Sequence, residues 1–197
     1  MQRLLALARQ VDNQKAEESQ KIGSQPITYN GKPSHFSFKG GCDHLNLHGR
    51  TDADFASRGE VKNQVERPGR DCACPEGVPC THVTGTLVTD YTATVTITMP
   101  PMPSGLTQCE QSKVRAFLQN VLRPHEEDHR AALKTFEGRT RNPIDVTGCG
   151  HDDIEAKVQA IGDAEKASRE AAAKAKSDAL DPFVRIIDCS ECDQKTP

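Results

Sequence analysis

Five residues in the middle of the chain, His125-Glu126-Glu127-Asp128-His129, constrain it more than any other stretch. They match H-E-x-x-H. On a helix, residues four apart share a face, so both imidazoles can reach one metal ion. Glu126, next to the first of them, can reach a water bound to that ion. Two His ligands with a Glu general base is the arrangement of zinc hydrolases. The residue types follow from the chemistry. Neutral imidazole binds zinc well, and an open coordination position holds a water whose pKa falls towards neutrality. A carboxylate then takes its proton. The competing reading has both histidines partly buried and bonded to Glu126, Asp128 or backbone, with no metal.

The surrounding pattern favours the metal. Leu118, Leu122, His125, His129, Leu133 and Phe136 recur at three-to-four spacing, which sets both histidines on the apolar stripe of an amphipathic helix. Gly138 reads as the stop. Pro124 either opens this helix or interrupts a longer one running from about Ser112. The stripe runs through it, which favours the longer helix.

A catalytic zinc usually has three protein ligands. The third is expected on a second helix, predicted over 152–180 from its capping Asp152 and Asp153 and its Ala-rich centre. There Ile154, Val158 and Ile161 mark an apolar face, and Glu165 continues their spacing. An acid on a buried stripe is unusual unless something binds it. Glu165 is therefore the first candidate, with Asp181 and Glu155 next.

Composition matters chiefly through the core. The chain has 197 residues, only 35% hydrophobic and 4% aromatic, with no Trp and eight cysteines. So lean a core needs other support. Cysteines 42, 72, 74, 80, 109, 149, 189 and 192 point to disulfides and an oxidising destination. The alternative is a second, structural zinc site using Cys72, Cys74 and Cys80, or Cys189 and Cys192. A Cys109–Cys149 bridge would staple a helical pair. The net charge of −3 and the lack of a basic block give no support to nucleic-acid binding. No apolar run is long enough to span a membrane. The first residues, MQRLLALARQVDNQ, do not read as a signal peptide. The expected location is secreted or periplasmic, with the chain trimmed, part of a longer protein or exported by another route.

In chain order, 1–34 reads as a polar helix and linker, 35–188 as one domain, and 189–197 as a tail carrying two cysteines. Cys42 to Arg50 alternates like a strand. His44 and His48 lie on one side of it, a polar face or extra ligands. TDADFASRG, from Thr51 to Gly59, reads as a short capped helix, and 60–81 as a cysteine-pinned loop. Val83 to Met99 alternates Thr and Val over two arms, with a turn at Thr89-Asp90. Its second arm, Tyr91 to Met99, is either a plain hairpin strand or an edge that binds a substrate backbone. Tyr91 is also the candidate to bind substrate by stabilising an oxyanion. The stretch 139–150, with Pro143, Gly148 and Gly150, reads as a turn region.

Several of these features together resemble a bacterial family of zinc peptidases known as domain of unknown function 922. They are LNLHGRTDADF, the Thr/Val ribbon ending in Pro, VRAFLQNVLRPHEEDH, and the long later helix ending in SDALDPF. The likeness covers about 36–183. It implies a zincin-like α+β fold, a small antiparallel sheet or hairpin packed on a metal-binding helix and a second long helix. It also implies metal-dependent proteolysis, with His125, His129 and Glu126 at the matching positions. Family members close on an Asp-containing motif with a Thr and a His-Gly pair. Here Asp181 stands at the Asp, and Pro182-Phe183-Val184-Arg185 lacks the rest.

The expected function is thus a Zn2+-dependent peptidase acting on protein or peptide, alone or within a larger secreted or delivered assembly. A non-catalytic, disulfide-stapled binding or toxin-associated module is one rival. A zinc amidase acting on cell-wall peptides is the other.

Overall fold

A computed structural model describes residues 36–39, 42, 45, 47–183 and 185–193. The predicted N-terminal helix and linker, and His44, lie outside the described residues. The elements are β1 (Phe36–Lys39), β2 (Arg50–Pro68), β3 (Cys80–Thr98), α1 (Gln108–Phe117), α2 (Arg123–Leu133), β4 (Gly138–Cys149), α3 (Gly150–Asp178) and β5 (Arg185–Asp188). The architecture is α+β. A three-stranded sheet has the order β2-β3-β4, and β1 pairs in parallel with β5.

The chain divides into two compact units. The first comprises Phe55–Thr92 and Phe136–Ala171, and the second includes Ala93–Thr135 and Ala172–Pro197. In the first unit β3 and β4 are antiparallel, from Cys80 opposite Cys149 to Tyr91 opposite Gly138. Side chains alternate across a strand, so Val83, Leu87 and Ile144 fall on one face. They form a core with Ile154, Val158 and Ile161 of α3, the stripe expected for that helix. Farther along the same face the sheet turns polar. Thr140 and Asn142 there donate hydrogen bonds to Glu165. Tyr91 packs edge-on against Phe136, 5.3 Å between centroids, with the Arg169 guanidinium over its ring.

The second unit's core gathers Leu47, Leu106, Val114, Phe117, Leu122 and Ile187 around the Cys42–Cys189 bridge. Thr107 and Glu110 close a capping box that starts α1. The helix then runs on through Pro124. Pro124 has no N–H to give the preceding turn, and the π-helical turn Leu118–Leu122 lies just before it. π-bulges arise where the helical ladder is interrupted in this way. Both Leu122 and Arg123 keep right-handed helical dihedrals, so the stripe continues into α2.

Four expectations need correction. The stretch read as a capped helix over TDADFASRG, and the first residues of the loop after it, are strand β2. Regular strand begins only at Arg50, so Leu47–Gly49 is not one. There is no turn at Thr89-Asp90, because β3 runs straight through and Asp90 pairs with Arg139 on β4. The supposed turn region 139–150 is β4. Pro143 is tolerated there because β4 is an edge strand.

All eight cysteines are paired: Cys42–Cys189, Cys72–Cys80, Cys74–Cys149 and Cys109–Cys192. The Cys109–Cys149 bridge considered from the sequence is not formed, since Cys109 pairs with Cys192 and Cys149 with Cys74. No helix among the described residues is long and apolar enough to cross a membrane.

Candidate metal centre

The site lies wholly in the second unit. Because α2 carries His125 and His129 on its buried stripe, their rings meet edge-on with centroids 4.5 Å apart. Their Nε2 atoms face each other at 3.0 Å. Asp181, three residues past the end of α3, brings Oδ1 to 3.4 Å from His125 Nε2 and Oδ2 to 3.5 Å from His129 Nε2. The three ligand atoms lie within 4.8 Å of one another. A tetrahedral zinc with bonds of about 2.0–2.1 Å sets its ligand atoms about 3.3 Å apart. The residues present therefore fit such an ion.

The donors are also prepared for one. His129 and Glu126 are 6% and 4% exposed. Burial is the main cause holding both imidazoles below their usual pKa, which leaves them neutral. On His129 the charge of His125 adds to this, and Asp181 opposes it on both rings. His129 Nδ1 lies 2.8 Å from the Ser177 hydroxyl in the last turns of α3. With the proton on Nδ1 donated to Ser177, Nε2 carries the lone pair. Phe183 stacks on the His125 ring at 4.1 Å and 12°, and the Arg185 guanidinium lies over the Phe183 ring, 4.7 Å from its centroid.

Glu126 is held separately. The Thr51 hydroxyl donates to its Oε2 at 2.6 Å. A Cβ at Gly49 would overlap the Glu126 carboxylate, so a larger residue there would push that carboxylate out of its present position. Burial raises the Glu126 pKa, and the Thr51 hydrogen bond partly offsets this.

The expected residues thus divide. His125, His129 and Glu126 come together as their spacing requires. The carboxylate facing both imidazoles is Asp181, and Glu165 is not part of this group: its carboxylate is taken up by Thr140 and Asn142. Glu155 instead stands 3.8 Å from His151. Tyr91 is 2% exposed and packed on Phe136, a core side chain and not a surface for substrate. His48 is exposed and, among the described residues, belongs to no group that could hold a metal.

Sequence reasoning missed Ser177, Thr51, Gly49 and Phe183. Ser177 had a signal, since it stands four residues before Asp181, itself a weighed ligand. Thr51 and Gly49 had none, because their role depends on a helix some seventy residues away. The chain matches no family model, no curated protein and no solved structure.

Proposed function

We propose that the chain is a zinc-dependent peptidase of zincin-like type that hydrolyses peptide bonds in protein or peptide substrates. The observation that carries this reading is the convergence of His125, His129 and Asp181 on one point, with the clamped carboxylate of Glu126 next to His125 on α2. The resemblance to the domain of unknown function 922 supports it, with Asp181 at the family's closing Asp.

In this reading His125, His129 and Asp181 hold the zinc, and Ser177 fixes the His129 tautomer. Zinc, when bound, supplies a Lewis acid for the scissile carbonyl and lowers the pKa of water. Glu126 takes the proton of the attacking water and passes it to the leaving amine. Its raised pKa suits a carboxylate that must hold a proton between those two events. Thr51 and Gly49 keep it in place. The four disulfides fit an oxidising, extracytoplasmic location.

Two preparations test this. Elemental analysis should find one zinc per wild-type chain and none after His125→Ala with His129→Ala. Glu126→Gln should keep the zinc and lose on the order of 100-fold or more of the hydrolysis of unfolded protein. Hydrolysis at the wild-type rate by Glu126→Gln rules out the mechanism. Zinc without any hydrolysis by wild type leaves a binding module.

A further inference from the structure

The face of the three-stranded sheet turned away from α3 has no part in the reading above. Residues directly opposite in an antiparallel pair share a face. Val88 with Arg141, and Asp90 with Arg139, therefore stand together on the side opposite Leu87 and Val83. A hollow of about 150 Å3 lies here, lined by Thr86 and Val88 of β3, Arg139 and Arg141 of β4, and Lys62 and Asn63 of β2. Glu60 completes the lining. All these residues belong to the first unit.

Consecutive side chains of a regular strand point to opposite faces, yet Lys62 and Asn63 both line the hollow. The reason is local. Asn63 has a φ of 53°, in the left-handed region that Asn tolerates better than most residues. Such a residue breaks the alternation and re-aims a side chain, as a β-bulge does. Gly85 on β3 makes room for it. A Cβ there would meet Lys62 O at 3.0 Å and Gln64 Cα at 3.4 Å. Backbone held in sparsely populated regions clusters at ligand-binding sites.

The charges around the hollow do not balance. Lys62 pairs with Glu60 at 2.8 Å and Arg139 with Asp90 at 2.6 Å. These hydrogen bonds are the main cause holding both acids below their usual pKa, and the Arg58 charge adds to each. Asp145, four residues beyond Arg141 on β4, is held by His82 at 2.7 Å. Among the described residues, the side chains of Arg141 and Asn63 form no hydrogen bond or ion pair. Four cations (Arg58, Lys62, Arg139 and Arg141) against two acids (Glu60 and Asp90) leave a surplus of two positive charges, in a chain whose net charge is −3. A phosphate group carries a charge of about −1.5 to −2 at pH 7 and three strong acceptor oxygens. A carboxylate brings less charge and only two oxygens in one plane. The Arg fork matches phosphate oxygens in pairs.

We propose that this hollow binds a phosphate group through Arg141, Asn63 and Lys62, as the free ion or at the end of a monoester. The proposal does not rest on the His125 site or on peptidase activity.

The test is a titration of the full, oxidised chain with inorganic phosphate at low ionic strength, followed by proton–nitrogen nuclear magnetic resonance. The Asn63 side-chain amide and the Arg141 Nε–H should shift saturably. Arg141→Gln should weaken the affinity about tenfold or more, and Asn63→Gly, which keeps the left-handed backbone, by a smaller factor. Lys113→Ala, at a surface cation of the second unit, should leave it unchanged. From pH 7.5 to 5.5 the affinity should fall about fourfold as the dianion takes up a proton. Sulfate, doubly charged at both pH values, should bind alike at both. Phenyl phosphate binding as tightly as inorganic phosphate identifies a group carried on a larger molecule, and binding of inorganic phosphate alone identifies the free ion. Either result upholds the site. No saturable shift with either ligand overturns the proposal. So does wild-type affinity in Arg141→Gln with native circular dichroism, and so does acetate binding as tightly as phosphate.

Discussion

Glu165 on α3 and Asp181 just past its end are both carboxylates weighed as partners for the two histidines, and their surroundings differ. Glu165 accepts hydrogen bonds from Thr140 and Asn142, neutral donors on a neighbouring strand. Asp181 faces two imidazole nitrogens at 3.4 and 3.5 Å. Neutral amide and hydroxyl donors complete a carboxylate's own needs. Two imidazole nitrogens that burial holds below their usual pKa present lone pairs beside the carboxylate, a set of donors suited to a cation. A carboxylate on a buried stripe therefore signals a partner, and only the partner's chemistry says whether that partner is a metal.

The difference can be broken by substitution. The largest effect is expected from Asp181→Ala, which removes a ligand of the proposed zinc. Zinc affinity, read by competition with a chromophoric chelator, should fall by more than the 10–100-fold that outer partners typically contribute. Glu165→Ala should leave that affinity unchanged, and equal losses from the two would erase the distinction. Ser177→Ala should cost about 10–100-fold in zinc affinity, because the His129 tautomer is no longer held. In Glu165→Ala the loss should instead appear as stability, about 1–3 kcal/mol in urea unfolding, since Thr140 and Asn142 lose their acceptor.

The smallest effect concerns pH. Burial lowers the pKa of His125 and His129 below the unfolded value of 6.5. Between that value and the folded one, the unfolded chain binds more protons, so stability falls as pH falls. The slope is up to about 1.4 kcal/mol per pH unit for each imidazole. Urea midpoints of the metal-free protein from pH 7.5 to 5.5 should show the decline. Replacing both histidines by Gln should flatten it, and an unchanged slope would place the titrating groups elsewhere.

The helical half of this design was legible in the sequence. A three-to-four stripe carries its own period, so α3 and the inward set of His125 and His129 could be read directly. The strands were harder. Thr51, Ala53 and Phe55 alternate as strand residues do, but Thr51 also reads as a cap and Gly59 as a stop. Pro143 and Gly148 made β4 resemble a turn, because edge position is a property of the sheet and not of the strand. Glu165, the first candidate for a third ligand, stands outside the His125, His129 and Asp181 group for a related reason. Spacing set Glu165 in line with the apolar stripe, and only the register that places Thr140 and Asn142 beside it shows what satisfies it. The clamp on Glu126 by Thr51 and Gly49 left no local trace at all.

The disulfide connectivity has a consequence for how the chain must be made. Taken in the order in which they are synthesised, the eight cysteines would pair 42 with 72, 74 with 80, 109 with 149, and 189 with 192. None of these pairs is native, and the bridges Cys42–Cys189 and Cys109–Cys192 span 147 and 83 residues. Oxidation that keeps pace with emergence of the chain traps wrong partners at every step. Cys42 and Cys109 must stay reduced, or be exchanged, until the segment just after Asp181 has arrived. Production of this protein therefore requires thiol–disulfide shuffling, by an isomerase or a glutathione buffer, and an oxidant alone yields a scrambled product.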